Sequence, residues 1–255
     1  MRYEDGTAYD KEHAGNIYYR LWFEMVEHYL EIHLPDSGMV LDAGGGTGEF
    51  TFRAADLRPK ISLVNFDISQ GMLNTAEDKI AELNLGSRVR NQQGDIMNMP
   101  FESGAFDYVM CLGDAFSFCP DVSKAFSELA RVTSDNGLFH LSVNSFWGNY
   151  AAMISKGPDL GFSFNDVISY YKTRIIQQKG ISTHCRSFTY RELKEMGEKN
   201  GLKIVKAFSS PVLPAHKDWL SDKEKYKEIL ALQYEHCEQQ NLLEYGNHLN
   251  IIYSR

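Results

Sequence analysis

The chain has 255 residues, of which 43% are hydrophobic, and a formal net charge of −8 at neutral pH. That length and apolar content suffice for one well-buried α/β domain with additions, while the acidic balance argues against a phosphate backbone as main partner. Met1 to Asp5 lacks the apolar core of a signal peptide and no run of 18 apolar residues exists, so a cytoplasmic protein with no membrane partner is expected.

The first helix is expected over about Asn16 to Ile32, with Leu21, Trp22, Met25, Val26 and Tyr29 on one face. A buried strand then runs into a glycine turn, Val40-Leu41-Asp42-Ala43-Gly44-Gly45-Gly46-Thr47-Gly48, and on into a helix from about Thr47 to Ala55. Val40, Leu41 and Ala43 suit a strand covered on both faces, and the glycines let a ligand approach the backbone closely. The helix start points free N–H groups at whatever lies in the turn. Glycine spacing separates two ligand classes. A dinucleotide fingerprint, G-x-G-x-x-G, counted from Gly44, places its third glycine at residue 49, which is Glu49. A carboxylate in the first helical turn repels a pyrophosphate but is compatible with a cationic cofactor.

Ile61 to Phe66 reads as a second strand ending at Asp67, 23 residues after Gly44, where an acid can accept two ribose hydroxyls. Ser69 opens a helix with Met72, Leu73, Ala76, Ile80 and Leu83 toward the sheet and Gly86 as its stop. A third strand, about Val89 to Gln93, ends in Gly94-Asp95 with Ile96 beside it as an apolar face. After an apolar fourth strand that includes Cys111, Asp121 opens a helix with Val122, Ala125, Phe126 and Leu129 inward. Asn136-Gly137 then turns the chain into a fifth strand, Leu138 to Val143. Thr189 and Glu192 form a capping box flanked by the staple Phe188 and Leu193, and Ser221 with Glu224 form a second box. Leu202 to Phe208 and His248 to Tyr253 complete seven strands. The four cysteines, Cys111, Cys119, Cys185 and Cys237, lack zinc-site spacing, so reduced thiols and no metal are expected.

Asp42, Gly44 to Gly48, Asp67 and Asp95-Ile96 all fall at the C-terminal ends of successive parallel strands, the edge where open α/β sheets bind ligands. In these residues the chain resembles the class I S-adenosylmethionine-dependent methyltransferases, closely over about residues 38 to 145. Val40 to Gly48 is similar to that family's first motif, V-L-D-x-G-x-G-T-G. Phe66-Asp67-Ile68-Ser69-Gln70-Gly71-Met72-Leu73 is similar to its ribose-binding segment. Gly94-Asp95, Pro100-Phe101 and Phe106-Asp107-Tyr108-Val109 are similar to its adenine segment and fourth strand.

The resemblance implies a Rossmann-like doubly wound α/β sheet of seven strands with helices on both faces, closed by an antiparallel pair of strands six and seven. It implies S-adenosylmethionine as cofactor, with Asp42, Gly44, Gly45, Gly46 and Gly48 in the turn and Asp67 on the ribose. Ile68, Met72 and Ile96 are implied to pack the adenine, Asp95 to meet its exocyclic amine, and backbone at Leu112 and Gly113 to meet the methionine amine. Tyr9, Tyr19 and Arg20 lie where the N-terminal segment of similar enzymes closes over the cofactor; Arg20 is a candidate partner of the methionine carboxylate, and a tyrosine face can stabilise a sulfonium.

A single domain over 1–255 is expected: an N-terminal lid helix at 1–35, a cofactor-binding core at 36–143, an insertion at 144–186, and a C-terminal core at 187–255 with a further insertion at 209–246. The N-terminal segment and the two insertions are rich in aromatics and are expected to form a lid that selects the acceptor. His13, His184 and His216 lie in these stretches and, with Tyr19, are the candidate proton acceptors. After the fourth strand, Leu112-Gly113-Asp114-Ala115-Phe116-Ser117-Phe118 lacks the Asn/Asp-Pro-Pro-Tyr/Phe motif that similar nucleic-acid and protein amide methylases carry. The expectation is methyl transfer to oxygen or nitrogen of a small, partly aromatic or apolar metabolite, by a monomer or homodimer without nucleic-acid partners. A carbon acceptor, a cofactor-binding regulatory subunit and a dehydrogenase stand behind it.

Overall fold

The computed structural model describes residues 5–177 and 185–255. In chain order the elements are α1 (Gly6–His13), α2 (Ile17–His33), β1 (Gly38–Ala43), α3 (Glu49–Leu57), β2 (Ile61–Asp67), α4 (Gln70–Glu82), β3 (Val89–Gln93) and β4 (Phe106–Cys111). They continue with α5 (Val122–Val132), β5 (Thr133–Asn144), α6 (Phe146–Lys156), α7 (Phe164–Thr173), β6 (Ile175–Ile176), β7 (Cys185–Arg186) and α8 (Tyr190–Lys199). The last are β8 (Lys203–Ser210), α9 (Lys217–Leu220), α10 (Lys223–His236) and β9 (His248–Ser254).

One seven-stranded sheet runs in the order β3-β2-β1-β4-β5-β9-β8. The strands from β3 to β5 are parallel, and β9 enters antiparallel between β5 and β8. The implied antiparallel pair is therefore present. The order reverses direction between β1 and β4, so the loops leaving these neighbouring strands diverge and open a crevice at their C-terminal ends.

Each face of the sheet carries its own apolar layer. Val40, Leu63, Tyr108 and Met110 pack with Trp22, Val26 and Leu30 of α2 and Phe50 and Ala54 of α3. Leu41, Val64, Val109, Leu141 and Ile251 pack on the other side with Phe126 and Leu129 of α5 and Leu193 of α8. Central parallel strands covered on both faces read as near-continuous apolar runs, which is why β1, β2 and β4 were legible as strands.

The caps explain most boundaries. Asn16, Ser69, Asp121 and Thr189 each accept a backbone N–H in the first turn of α2, α4, α5 and α8, and Thr189 with Glu192 completes a full capping box. Three expectations need correction. Helix α4 stops at Asn84 rather than Gly86: Asn84 adopts φ +57°, the Leu85 N–H bonds back to the Ile80 carbonyl at 2.9 Å, and Leu83 is left exposed while Leu85 packs on the core. Helix α10 is capped by Asp222, whose carboxylate accepts from Glu224 and Lys225 N–H groups, and not by Ser221. Strand β5 begins at Thr133, and residues 134–137 bulge between the Phe106↔Thr133 and Tyr108↔Leu138 pairs, so Asn136-Gly137 lies inside a strand irregularity and not before the strand.

The additions pack at the periphery. Helix α10 lies on α2 through Tyr29, Cys237, Leu230 and Tyr234, as the plain reading of its apolar stripe anticipates. Helices α6 and α7 form a separate cluster of Phe146, Met153, Val167 and Tyr170. No helix among the described residues is long and apolar enough to cross a membrane.

Candidate active site

The crevice between the β1 and β4 loops holds a cavity of about 240 Å³. Its floor is the glycine turn. Gly44 adopts φ +80°, and a Cβ there would stand 2.3 Å from the Ala115 Cβ, so glycine is what allows the β1 and β4 loops to approach. Gly46 adopts φ +56°, and a Cβ on it would come within 3.0 Å of Met72 Cε and 3.9 Å of Asp67 Oδ2, filling the space between the turn and the tip of β2. Gly48 also has positive φ and caps α3, but it does not line the cavity.

Asp67 closes the tip of β2. Its Oδ2 accepts the Gly46 N–H at 2.9 Å and its Oδ1 accepts the Ser69 N–H at 2.8 Å. A carboxylate accepts about four hydrogen bonds, so capacity remains for a ligand. Burial raises the carboxyl above its usual range, and the backbone donors at Ser69 and Gly46 oppose that. Asp42 sits deeper. It is fully buried, accepts a hydrogen bond from the Thr51 hydroxyl at 2.6 Å, and is pushed up to about 7, first by burial and then by the neighbouring Asp67 charge.

The wall beyond Asp67 is apolar: Ile68, Met72, Ile96 and Met97 form one side, and Asp95 stands at its edge. Asp95 Oδ1 accepts the Met97 N–H at 2.8 Å, and Oδ2 has no hydrogen bond among the described residues. The lining also includes Leu112, Gly113, Phe118, Cys119 and Pro120 from the β4 loop, with Trp22, Phe23, Phe50 and Tyr9. Burial pushes the Cys119 thiol up to about 12, so it stays protonated. Glu49 reaches the cavity too, held by Arg53 at 2.7 Å, which places a carboxylate at the helix start, where a pyrophosphate would have to sit.

Of the residues singled out from sequence, Asp42, Gly44, Gly45, Gly46, Asp67, Ile68, Met72, Asp95, Ile96, Leu112, Gly113 and Tyr9 converge on this one cavity. Arg20 does not: it pairs with Glu24 at 2.9 Å and lies 4.3 Å over the Tyr226 ring, facing α10. Tyr19 packs one layer behind the wall, its ring 4.2 Å from His13 and 6.1 Å from Trp22. His13 shares a 2.7 Å hydrogen bond with the Tyr9 carbonyl and also stays off the wall. His216 caps the single turn α9 at the surface, and His184 lies outside the described residues. The cavity wall includes no described residue of either insertion, so among the described residues only the N-terminal of the three expected lid segments reaches it.

That segment is anchored to the turn itself. The Thr47 hydroxyl donates to Asp10 Oδ1 at 2.7 Å, and Lys79 pairs with Asp10 at 2.6 Å while donating to the Thr47 carbonyl. Polar residues flanking the cavity also include a pair that sequence reasoning passed over. His248, the first residue of β9, meets Asp114 Oδ1 through Nδ1 at 3.1 Å and stacks on Trp22 with ring centroids 4.6 Å apart. Asp114 has φ +64° directly after Gly113 at φ +67°, an uncommon backbone state for a residue with a side chain. The two are 134 residues apart in the chain, and no local spacing announces them.

Residues 40–137 match the methyltransferase domain family. A malonyl-[acyl-carrier protein] O-methyltransferase of Geobacter sulfurreducens is 26% identical over 183 residues, covering 70% of this chain and 61% of that protein, so the chain spans about three fifths of its length. A demethylmenaquinone methyltransferase of Lactobacillus johnsonii is 29% identical over 180 residues, 69% of this chain and 72% of that one. Among solved structures, a Haloferax volcanii methyltransferase in complex with the Trm112 activator superposes with a TM-score of 0.64 at 17% identity, covering 98% of this chain and 95% of that chain. The geranyl diphosphate C-methyltransferase of Streptomyces coelicolor, solved with S-adenosyl-L-homocysteine, gives 0.60 at 16% identity over 91% and 80%. The strand-tip acids, the glycine turn and the methyltransferase-domain match over residues 40–137 together support a class I S-adenosylmethionine-dependent methyltransferase, with S-adenosylmethionine as cofactor.

Proposed function

We propose that this protein transfers the methyl group of S-adenosylmethionine to an oxygen or nitrogen of a small, partly apolar acceptor. The observation that carries the reading is Asp67, a carboxylate with acceptor capacity to spare at the tip of β2 beside a glycine turn with no side chain to obstruct it. The residues fit the cofactor: a ribose diol takes the spare Asp67 capacity, Ile68, Met72 and Ile96 form a slot for adenine, and the unpaired Asp95 Oδ2 accepts its exocyclic amine.

When bound, S-adenosylmethionine supplies a methyl group already activated on a sulfonium. The chain's contribution is then placement and exclusion of water, and alignment alone is worth about 7–11 kcal/mol in favourable intramolecular cases. Trp22, Phe23, Phe118 and Pro120 give the remaining wall its apolar character, which selects a partly apolar acceptor. Helix α1 acts as the lid, since Asp10, Thr47 and Lys79 hold it against the turn with Tyr9 at the wall.

Calorimetry with S-adenosylhomocysteine tests the cofactor site, and transfer of a labelled methyl group to a metabolite panel tests the activity. Tight cofactor binding with no transfer to any acceptor identifies a regulatory subunit instead. A carbon acceptor is the second reading, favoured by the demethylmenaquinone methyltransferase among the relatives.

A further inference from the structure

We infer that His248, oriented by Asp114, is the general base of this enzyme, and that its acceptor carries an ionisable hydroxyl of the phenol or enol type. The inference rests on the reading of the cavity as a methyl-donor site and narrows the acceptor within it.

The geometry supplies two parts. First, an ionised carboxylate only accepts hydrogen bonds, so the 3.1 Å contact between Asp114 Oδ1 and His248 Nδ1 makes Nδ1 the donor and leaves the lone pair on Nε2. Nε2 has no hydrogen-bond partner among the described residues and is not sealed from solvent as the orphaned His140 Nε2 is. Second, the pair stands directly behind the cavity wall without lining it: Asp114 lies between Gly113 and Ala115, and His248 stacks on Trp22, all three of these neighbours being wall residues. A hydroxylic acceptor suits this pair, its proton meeting a free base.

The strand register explains the placement. His248 pairs with Asn144 at the end of β5 and with Ser210 at the end of β8, so antiparallel β9 begins at the same sheet edge where the parallel strands end. In the step, the acceptor's O–H proton passes to His248 Nε2 and the oxygen's freed electron pair forms the new O–CH3 bond. The donor's C–S bond breaks as that bond forms, and its electron pair stays on sulfur, leaving a neutral thioether and an imidazolium paired with Asp114. A carboxylate acceptor is already ionised near neutral pH and has no use for this base, so esters are not the expected products.

The test uses the full chain with S-adenosylhomocysteine bound and 4-nitrophenol as probe, whose phenolate absorbs in the visible and whose phenol does not. At pH 6 the wild-type complex is expected to bind the probe as phenolate, and His248→Gln to lose that signal while binding S-adenosylhomocysteine within twofold of wild type. With labelled S-adenosylmethionine, simple phenols should give methyl ethers and matched benzoates should not give esters. The phenol kcat should fall 10²-fold or more in His248→Ala and recover in part with added imidazole. Asp114→Asn, a change at the positioning residue, should lower kcat about tenfold with KM little changed.

Three results overturn the assignment: no phenolate signal in protein that binds S-adenosylhomocysteine normally, phenolate retained in His248→Gln, or esters formed from benzoates while phenols are ignored. The last leaves the methyltransferase reading intact. Failure to bind S-adenosylhomocysteine at all would instead remove that reading.

Discussion

The two halves of the sheet's ligand-binding edge are built by different means. From β3 to β1 the edge is made of backbone: a glycine turn, helix starts, and strand-tip acids whose carboxylates are held by N–H groups a few residues away, as Asp67 is by Ser69 and Asp95 by Met97. From β4 to β9 the edge is made of side chains brought from distant segments: Trp22 from α2, Asp114 after β4 and His248 at the start of β9. The first half is a rigid socket whose shape follows from local geometry, suited to one invariant ligand. The second is a composite surface in which each residue is replaceable without unmaking the turn that holds its neighbour, suited to a ligand that varies between enzymes of one fold.

Gly46→Val strikes the socket hardest. A β-branched residue at φ +56° is strained, and its Cβ would crowd Met72 and project toward Asp67. S-adenosylhomocysteine binding should fall about 100-fold or more, beyond easy detection by calorimetry, in a protein that keeps its far-UV circular dichroism. Wild-type affinity would mean that the turn is structural and that the comparison between the halves is misdrawn.

A pH effect should follow from Asp42, in the same socket. The folded protein holds this carboxyl's proton up to about pH 7 because burial disfavours the charge, whereas the unfolded chain releases it near 4. Between those values the folded state binds more protons, so this group makes stability fall as pH rises from about 4 to 7 and level off above. Asp42→Asn removes the slope, and its amide oxygen can still accept from Thr51. Denaturant unfolding should show the variant gaining about 2–3 kcal/mol relative to wild type between pH 5 and pH 8. A parallel pH dependence in both proteins would show that Asp42 is ionised in the fold.

The contrast between the halves also sets what the sequence disclosed. Residues 40–96 could be read because the physics there is local: apolar runs bounded by glycine, acids at fixed offsets from strand ends, and a cap at Ser69. Twelve of the residues singled out for the cofactor meet at one cavity for that reason. Arg20 was misplaced because the partners that hold it, Glu24 one turn on and Tyr226 on α10, include one 206 residues away. His248 was read only as the first residue of a strand, since its meaning depends on β9 inserting antiparallel beside β5, a pairing that periodicity does not reveal. The asparagine stop at Asn84 and the Asp222 cap show the same limit at smaller scale, where two residues within two positions of each other offered similar chemistry and packing chose between them.

Asp67→Ala tests whether the acid or the turn carries most of the ribose affinity. Loss of the charge-assisted bonds to two hydroxyls should weaken S-adenosylhomocysteine by about tenfold or more, near 1.4 kcal/mol, because the free carboxylate was itself partly satisfied by Gly46 and Ser69. The effect should therefore be smaller than that of Gly46→Val. A reversed order would make the carboxylate, and not the backbone, the dominant element of the socket.

The smallest effects are expected where sequence reasoning placed function and the fold did not. Arg20→Ala removes an i,i+4 pair and a stacking contact on an exposed helix face, each worth a few tenths of a kcal/mol to about 1 kcal/mol at most. Trp147→Ala removes a side chain that is 46% exposed and packs against Phe146 and Tyr150 in the first insertion, away from the cavity wall. Both variants should bind S-adenosylhomocysteine within twofold of wild type. Tyr9→Ala, in the anchored N-terminal helix at the wall, should weaken it measurably in the same calorimetric series. If Arg20→Ala instead weakens the cofactor as much as Asp67→Ala does, the guanidinium must leave Glu24 and Tyr226 when ligand binds. Helix α2 would then belong to the socket, and the boundary between the two halves would run through it.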